Sequence, residues 1–272
     1  MKIALFPNLE RQGTNQLMPR ILEILGEADC VLPEGADFGR PTLPEEELYK
    51  ACDIILTVGG DGTLIKHAKE AALYGKPCIG INTGRLGFLA DIEPDSLDCL
   101  SALLKGQYTV EPRMMLAVKA YKNGECVYSD IALNDAVVSS GTVARITDLK
   151  LTVSGHTIEY RADGLIISTP TGSTAYSMSA GGPVIDPAVR CLTVTPVCSH
   201  SLTARPLLAA EASELTVELL PSSRTDAFLT IDGQRCVEVG EDTVVKIKRA
   251  PYDALLINAT GSSIFKTLSK KF

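Results

Sequence analysis

Three glycines and one aspartate stand together in the segment Gly59-Gly60-Asp61-Gly62-Thr63. Positions 53–58 form a mostly apolar run typical of a buried strand, and the residues after the segment have helical spacing. Glycine lets a backbone approach an anion closely and adopt positive φ, and a helix N-terminus adds free N–H groups and a partial positive charge. The turn is therefore predicted to hold phosphate groups through Gly59, Gly60, Gly62, Thr63 and, one helical turn further on, Lys66.

A carboxylate inside a phosphate-binding turn needs a separate explanation, because it repels phosphate. Asp61 is interpreted as the group that positions a hydroxyl or a magnesium ion, and the reaction this predicts is phosphoryl transfer to an alcohol. The alternative is structural, since an aspartate here can cap a helix after a tight strand-to-helix connection. Three glycines around one aspartate exceed what a cap needs, which favours the functional interpretation.

Polar residues also follow or interrupt apolar strands at two other places. The loop 80–89 contains Gly84 and Gly87 and is expected at the carboxyl edge of a parallel sheet, where ligands bind, although an ordinary loop is the alternative. Asn134 and Asp135 interrupt the apolar run 132–138. An amide can read an adenine edge and a carboxylate can accept two ribose hydroxyls, whereas the alternative is a turn or bulge.

The longest candidate segment, 161–183, combines small hydroxyl residues with glycines after an apolar strand. Such a loop can wrap closely around a nucleotide, and Tyr176 could offer a ring face to a base or a nicotinamide. Arg145 could meet a phosphate or remain solvated. Gln234 follows Asp232-Gly233, which is interpreted as a hairpin turn with a geometric role, and His67 is interpreted as a helix-surface residue.

The chain alternates strands and helices at first and then becomes β-rich. Strands are predicted at 2–6, 53–58 and 77–81, and helices at 15–26, 64–74 and 96–104. Near-continuous apolar strands between helices indicate a Rossmann-like parallel α/β domain, residues 1–106. Hairpin turns at Asn123-Gly124 and Ser154-Gly155 indicate a β-sandwich-like domain, residues 107–252, and residues 253–272 are expected to return to the first domain as a strand and a helix.

Composition narrows the classes of partner. The chain has 272 residues, is 45% hydrophobic and carries a formal net charge of -7, which argues against nucleic acid because a phosphate backbone needs basic surface. No apolar stretch approaches the roughly 18 residues of a membrane span. The eight cysteines form no C-x-x-C pair and the three histidines have no ligand spacing, so we expect reduced thiols, a cytoplasmic protein and no tightly bound protein-ligated metal.

Taken together, the GGDGT turn, the Asn134-Asp135 pair, the segment DGL…STPTGSTAYS…GGP, and the pieces HSLTARPL and DGQ resemble the NAD kinase family. The turn alone is shared with lipid kinases and phosphofructokinases, whereas the Thr/Ser/Gly segment with the Asn-Asp pair is much more specific. The resemblance implies transfer of the γ-phosphoryl group of ATP, or in some members of polyphosphate, to the 2′-hydroxyl of the adenosine ribose of NAD, giving NADP. It also implies Mg²⁺ or Mn²⁺ arriving with ATP.

By the same resemblance, Asp61 is the proton acceptor for the ribose hydroxyl, and Asn134 and Asp135 hold the adenine and ribose. The family often has glutamate at the position of Asp135. The aspartate side chain of this sequence is shorter than glutamate by one methylene. The resemblance also implies a homotetramer or homodimer, with part of the site contributed by a neighbouring subunit. The residues that it places at the dinucleotide site are Asp61, Gly62, Asn134, Asp135, Arg145, Arg161, Asp163, Thr171, Thr174, Ala175, Tyr176, Ser177, Met178, Ser179, Val197 and Gln234.

Two other functions remain open at this point. A lipid or sugar kinase could carry the same turn, although the acidic balance and the lack of a basic membrane-facing patch disfavour a lipid substrate. A non-enzymatic dinucleotide sensor would bind NAD without forming NADP, and the intact Asp61 weighs against it.

Overall fold

The computed structural model describes residues 1–84, 87–90, 92–141, 146–223 and 227–271. The chain divides into two compact units. The first unit contains Met1–Pro112 together with Ala254–Phe272, and the second contains Arg113–Asp253. Each unit has its own core and is described by itself.

The first unit is an α/β structure in which apolar strands alternate with amphipathic helices. Its strands are β1 (Lys2–Pro7), β2 (Asp29–Pro33), β3 (Thr42–Leu43), β4 (Ile54–Gly59), β5 (Pro77–Asn82), β6 (Thr109–Arg113) and β19 (Ala254–Asn258). Its helices are α1 (Gln12–Leu25), α2 (Glu45–Ala51), α3 (Asp61–Leu73), α4 (Cys99–Leu104) and α6 (Ile264–Lys271).

Those strands form one sheet in the order β3-β2-β1-β4-β5-β19-β6. The pairs from β3 through β19 run parallel. Strand β4 is buried at every position, as a central parallel strand covered on both faces must be. Because β1, β4 and β5 are parallel neighbours, the loops that follow them lie at the same edge of the sheet, and these loops carry the predicted phosphate turn.

The C-terminal segment belongs to the first unit. Strand β19 pairs in parallel with β5, with Leu255 opposite Pro77 and Leu256 opposite Cys78. Helix α6 follows, and Lys270 Nζ lies 2.8 Å from Glu93 Oε1. The predicted return of this segment to the α/β domain is confirmed.

The second unit is built from antiparallel strands and one short helical segment. Its strands are β7 (Leu116–Lys122), β8 (Glu125–Ala132), β9 (Asp135–Ser140), β10 (Thr147–Val153), β11 (His156–Ala162), β12 (Gly164–Ser168), β13 (Cys191–Val197), β14 (Leu207–Ala210), β15 (Leu215–Leu219), β16 (Ala227–Ile231), β17 (Gln234–Val239) and β18 (Thr243–Arg249). A 3₁₀ turn, Thr171–Thr174, leads into helix α5 (Tyr176–Ser179).

Two antiparallel sheets enclose the core of the second unit, in the orders β11-β10-β15-β18-β7-β8 and β14-β13-β12-β9-β16-β17. Leu149 and Val217 from the first sheet and Val138 and Ile167 from the second belong to one apolar cluster. Side chains alternate along a strand, so the residues between these core positions point to the opposite face of each sheet. The predicted combination of a parallel α/β domain and a β-sandwich-like domain is confirmed.

The helix predicted at 96–104 is in fact a 3₁₀ turn at Pro94–Ser96 followed by α4. The elements β2, β3 and α2 were not predicted.

The interpretation of His67 as a surface residue is wrong, because it is only 6% exposed. Its ring stacks on Phe6 and its Nδ1 lies 2.6 Å from the Tyr49 hydroxyl. Burial lowers the pKa of His67 to about 4, so the ring is neutral at physiological pH.

Candidate functional site

The turn between β4 and α3 places a helix N-terminus at the carboxyl edge of the parallel sheet. Helix α3 begins at Asp61, and the N–H groups of Thr63 and Leu64 both bond to the carbonyl of Gly60, at 2.9 and 3.2 Å. The N–H groups of Asp61 and Gly62 have no carbonyl one turn earlier in the helix. This is the geometry that binds phosphate oxygens.

Gly59 is required in this turn for space and not for positive φ, whereas a Cβ on Gly62 would have open space around it. Gly59, Gly60 and Gly62 all lie outside the left-handed region, so that part of the prediction is wrong. A Cβ on Gly59 would come within 2.8 Å of the Cβ of Thr63, and a Cβ on Gly60 would come within 3.1 Å of the Arg11 guanidinium. The turn is therefore closed on one side by its own helix and on the other by the loop after β1.

Backbone amides of the loop after β5 hold the carboxylate of Asp61. Its Oδ2 accepts the N–H of Phe88 at 2.8 Å, and its Oδ1 accepts those of Leu89 and Ala90 at 3.3 and 3.1 Å. A Cβ on Gly87 would overlap this carboxylate, so the loop can approach it only with glycine at that place. The three bonds fix the orientation of Asp61, which remains half-buried.

Two basic side chains lie in the region of the turn. Lys66, predicted to belong to the phosphate loop, lies on α3 with its Nζ 3.5 Å from Glu45 Oε1 and is exposed. Arg11 was not singled out from the sequence, although it is exposed and its guanidinium lies over Gly60 and close to Gly84. A basic residue in a loop that follows a parallel strand was the signal that could have identified it.

The second unit contains a pocket of about 290 Å³. Four of the residues predicted for the dinucleotide site line it, namely Asn134, Asp135, Ala175 and Tyr176. Four more that the sequence did not indicate complete the lining, namely Val137, Thr230, Asp232 and Gly233. The alternation of β9 explains the position: Ala136 and Val138 enter the sandwich core, and Asp135 and Val137 point the other way.

Asn134 and Asp135 carry the polar groups of this pocket. The Oδ1 atom of Asn134 is buried and has no hydrogen-bond partner among the described residues. The Asp135 side chain is only 4% exposed. Burial, and secondarily the nearby Asp232 carboxylate, raise the pKa of Asp135 to about 7. An unpaired buried amide oxygen and a poorly solvated carboxyl are costly unless a ligand satisfies them.

The segment after β12 donates hydrogen bonds to the main-chain carbonyls of Leu133 and Asn134. Thr169 donates its N–H to the carbonyl of Asn134 at 2.9 Å and its hydroxyl to the carbonyl of Leu133 at 2.6 Å. A Cβ on Gly172 would lie 2.7 Å from the Cα of Asn134, so this glycine is needed for close contact. The Asn134-Asp135 pair therefore sits in a rigid main-chain setting between two strands.

The hydroxyl-rich segment predicted to wrap the nucleotide is only partly open. Thr171 and Thr174 are buried, and Ser177 is fully buried with its Oγ 2.9 Å from Thr195 Oγ1. Tyr176 is 46% exposed and Ala175 is half-buried at the pocket. Met178 is half-buried and Ser179 is exposed.

Two predicted site residues lie at the other end of the same sheet. Asp135 pairs with Ser168 at one end of β12, and Val197 pairs with Gly164 at the other end. Asp163 precedes Gly164, and its N–H bonds to the Val197 carbonyl at 2.9 Å. Four residues of strand separate the two ends by about 13 Å. The exposed Arg161 lies two residues before Asp163, on β11 of the other sheet.

Of the remaining predicted residues, Gln234 begins β17 directly after Gly233 and pairs with Ile231. Arg145 lies outside the described residues. Within the described ranges, no group of three or more His, Cys, Asp or Glu side chains is arranged to hold a metal ion. None of the helices that the structure describes is both long and apolar enough to cross a membrane.

Comparison with known proteins identifies the family of this chain. Residues 41–108 match the ATP-NAD kinase N-terminal domain and residues 133–259 match the ATP-NAD kinase C-terminal domain. An NAD kinase of Geobacter metallireducens is 41% identical over 99% of this chain and 97% of its own length. An NAD kinase of Symbiobacterium thermophilum is 42% identical over 92% of this chain and 90% of its own length.

Two solved structures share the fold of this chain. The yeast NADH kinase complexed with NADH superposes with a TM-score of 0.87 at 22% identity, covering 99% of this chain and 86% of that one. The Archaeoglobus fulgidus NAD kinase in complex with ATP superposes with a TM-score of 0.75 at 27% identity, covering 100% of this chain and 98% of that one. The chain belongs to the NAD kinase family.

Proposed function

We propose that this protein transfers the γ-phosphoryl group of ATP to the 2′-hydroxyl of the adenosine ribose of NAD and releases NADP and ADP. The observation that carries the proposal is the pocket of the second unit, where a buried, unpaired amide oxygen and a buried carboxyl lie side by side on a rigid main chain. An amide and a carboxylate at this spacing suit an adenine edge and two ribose hydroxyls.

The phosphates of ATP fit the turn before α3. The N–H groups of Asp61 and Gly62 point out of the helix start, and the helix dipole adds partial positive charge there. Arg11 over Gly60 supplies a full positive charge in a chain whose net charge is -7. An arginine can bind two phosphate oxygens at once. The carboxylates elsewhere on this acidic surface would repel the same phosphates.

Asp61 is proposed to accept the proton of the attacking hydroxyl. The ribose 2′-oxygen forms a bond to the γ-phosphorus, the bond from that phosphorus to the β,γ-bridging oxygen breaks, and ADP leaves with the bridging electrons. The proton of the hydroxyl passes to Asp61. Phosphoryl transfer asks mainly for alignment, and the three amides that fix the Asp61 carboxylate supply that alignment.

A divalent metal, Mg²⁺ or Mn²⁺, is proposed to arrive with ATP and to neutralise charge on the transferred phosphate. The donors beside the turn fit such an ion, because the Asp61 carboxylate and the Thr63 hydroxyl are oxygen ligands, the type that Mg²⁺ prefers. Thr63 Oγ1 is held by the Asn8 amide at 3.0 Å, and this fixes its position beside the phosphates.

Three finer points belong to the same proposal. Polyphosphate can replace ATP as donor, since the turn contacts phosphate groups and not a base. The active form is a homodimer or homotetramer, in which Arg161, Asp163 and Val197 serve the pocket of a neighbouring subunit. Asp163 and Val197 lie about 13 Å along the strand from the pocket of their own chain, and Arg161 lies two residues before Asp163. The free thiols of the described cysteines favour a cytoplasmic location.

A coupled assay tests the function directly. Purified protein is incubated with NAD and ATP–Mg²⁺, and the product is detected by an NADP-specific dehydrogenase. We expect NADP to form with NAD and not with 2′-deoxy NAD, which differs only in the acceptor hydroxyl. Polyphosphate replaces ATP in a parallel reaction, and light scattering of the same preparation gives the number of subunits.

The two other functions predict different outcomes of this assay. Phosphorylation of diacylglycerol or a sugar without any formation of NADP would identify another small-molecule kinase. Saturable binding of NAD by calorimetry without turnover would identify a dinucleotide sensor. Either result would overturn the proposal.

A further inference from the structure

The hairpin residue Asp232 makes an unusual set of contacts for a turn residue. Its Oδ1 accepts the N–H of Asn134 at 2.8 Å and that of Asp135 at 3.2 Å, and its Oδ2 accepts the N–H of Leu133 at 3.0 Å. The N–H of Asp232 in turn bonds to the carbonyl of Asp135 at 3.0 Å. One side chain thus binds three consecutive amides almost a hundred residues away in sequence.

The hairpin itself does not require a carboxylate at this place. Asp232 and Gly233 have φ values of 50° and 80°, the two positive values that a tight two-residue hairpin needs. The turns Asn123-Gly124 and Ser154-Gly155 have the same pattern in the same unit, with φ values of 50° and 85° and of 50° and 79°. Asparagine and serine therefore serve the geometry equally well.

The amides that Asp232 binds belong to the residues that line the pocket. The Thr169 hydroxyl and N–H donate to the carbonyls of Leu133 and Asn134, and the Asp232 carboxylate accepts the N–H groups of Leu133, Asn134 and Asp135. Rotation of either peptide would move the Asn134 amide and the Asp135 carboxyl away from the pocket. Charge-assisted hydrogen bonds of this kind are stronger than neutral ones and suit such a restraint.

We infer that Asp232 is a positioning residue for the dinucleotide: its carboxylate sets the main chain at residues 133–135 and thereby aims Asn134 and Asp135 at the adenosine ribose. The inference rests on the proposed function, because it assigns the role of Asp232 within that site. It goes beyond the geometric role that the sequence suggested for the Asp232-Gly233 turn.

The position of Asp232 also has an electrostatic consequence. Among the described residues that line the pocket, the charged group that faces Asp135 is the Asp232 carboxylate. Strand β12 brings Ser168 opposite Asp135, and Thr230 of β16, which is opposite Val137, also lines the pocket; both side chains are neutral. Asp232 contributes to the raised pKa of Asp135, after burial. Removal of the Asp232 charge therefore lowers the pKa of Asp135.

The test compares Asp232→Asn and Asp232→Ala with a matched turn variant, Asn123→Ala. Asparagine keeps the preference for positive φ and one acceptor oxygen, so Asp232→Asn preserves the hairpin. Asn123→Ala costs the same backbone preference in an equivalent turn and does not touch the pocket. We measure KM for NAD, KM for ATP, kcat and the thermal midpoint for all four proteins, and KM for NAD between pH 5.5 and 8.5, a range of about three units around the Asp135 value.

We expect Asp232→Asn to raise KM for NAD about tenfold at pH 8, with KM for ATP within about twofold of wild type. In wild type, KM for NAD should fall as pH rises through about 7, because the ionised Asp135 accepts the ribose hydroxyls. In Asp232→Asn that inflection should move to lower pH. Asn123→Ala should keep both KM values and the inflection.

Three results would overturn the inference: an unchanged KM for NAD in both Asp232 variants, a parallel rise of both KM values, or an inflection that stays in place. If Asp232→Ala fails to fold, Asp232→Asn alone decides. A wild-type protein that makes no NADP would instead refute the proposed function, so the two failures are distinguishable.

Discussion

At the scale of single residues, the two carboxyl groups of the proposed site are held in opposite ways. Asp61 accepts three backbone amides and remains half-buried, so its charge is compensated by the main chain. Asp135 is buried beside another carboxylate, and the pKa of its carboxyl is raised to about 7. The first arrangement suits a group that must stay in one orientation during a reaction. The second suits a group that is satisfied only when a ligand binds.

Replacement of Asp61 by asparagine separates chemistry from folding. The amide oxygen can still accept the N–H groups of Leu89 and Ala90, so we expect the fold to be kept, but an amide cannot take a proton from the ribose. We expect kcat to fall by on the order of 10²–10⁴. The control is Asp53→Asn, since Asp53 Oδ2 also accepts a backbone N–H, that of Lys2 at 2.7 Å. An unchanged kcat in Asp61→Asn would remove Asp61 from the mechanism.

The raised pKa of Asp135 makes stability depend on pH. The pKa of Asp135 is about 7 in the folded chain and 3.8, the ordinary value, in the unfolded chain. Between pH 3.8 and about pH 7 the folded state therefore holds a proton that the unfolded state has lost. The free energy of unfolding therefore falls as pH rises through this window, by at most about 1.4 kcal/mol per pH unit. Asp135→Asn removes the effect, so the variant should gain stability relative to wild type between pH 5 and pH 8.

Urea unfolding of both proteins at pH 5 and pH 8 measures this difference. Aspartate to asparagine at the same site preserves size, so changes in packing cancel between the two pH values. A stability difference that is the same at both pH values would contradict the burial of an ionisable group at this place.

At the scale of elements, the sequence predicted what local pattern controls and missed what distant contacts decide. The β4–α3 turn was predictable because an apolar run, glycines and helical spacing are adjacent in the chain. Strand β3 has two residues and β2 ends in proline, so neither shows a strand periodicity. His67 has a polar side chain on a helix, and only its contacts with Phe6 and Tyr49 reveal its burial.

The candidate site shows the same division. Asn134 and Asp135 were indicated by a polar pair inside an apolar run, and both line the pocket. Asp232 was assigned only a turn role, because its partners lie 97 to 99 positions away and leave no local pattern. The Asp61 contact with the loop after β5 is equally non-local, and only the glycine at position 87 hinted at it.

The loop after β5 gives a prediction at this scale. Gly87→Ala introduces a Cβ that overlaps the Asp61 carboxylate, so the loop or the carboxylate must move. We expect kcat to fall about tenfold or more, because a displacement of about 1 Å near the reacting group can cost two orders of magnitude. KM for NAD should change much less, since the pocket lies on other elements.

Gly84→Ala is the matched control in the same loop. A Cβ there would have its nearest neighbour, Arg11 Nη1, at 3.6 Å, which is an ordinary van der Waals contact. Steady-state kinetics of the two variants decide the point. Equal kcat values for Gly87→Ala and Gly84→Ala would show that the Asp61 orientation does not depend on this loop.

At the scale of the whole molecule, an acidic chain must bind two substrates that carry negatively charged phosphate groups. A net charge of -7 gives no long-range attraction for ATP or NAD, so affinity has to come from built sites. The first unit offers a helix start and Arg11, and the second offers a rigid pocket with unsatisfied polar groups. Because these sites exist only in the folded state, ligand binding should stabilise the folded chain in proportion to its affinity.

Thermal unfolding in the presence of NAD measures this stabilisation for the wild-type chain and for Asn134→Ala, in which the residue proposed to hold the adenosine is changed. At a free NAD concentration of about 100 times Kd, binding adds about 2.7 kcal/mol to stability, and a tenfold weaker Kd leaves about 1.4 kcal/mol. Asn134→Ala removes the amide whose buried oxygen lacks a partner, so we expect about half the wild-type rise in Tm at the same NAD concentration. The rise with ATP should be equal in both proteins, and Asn123→Ala should match wild type with either ligand. A full NAD-dependent rise in Asn134→Ala would mean that dinucleotide affinity arises elsewhere in the molecule.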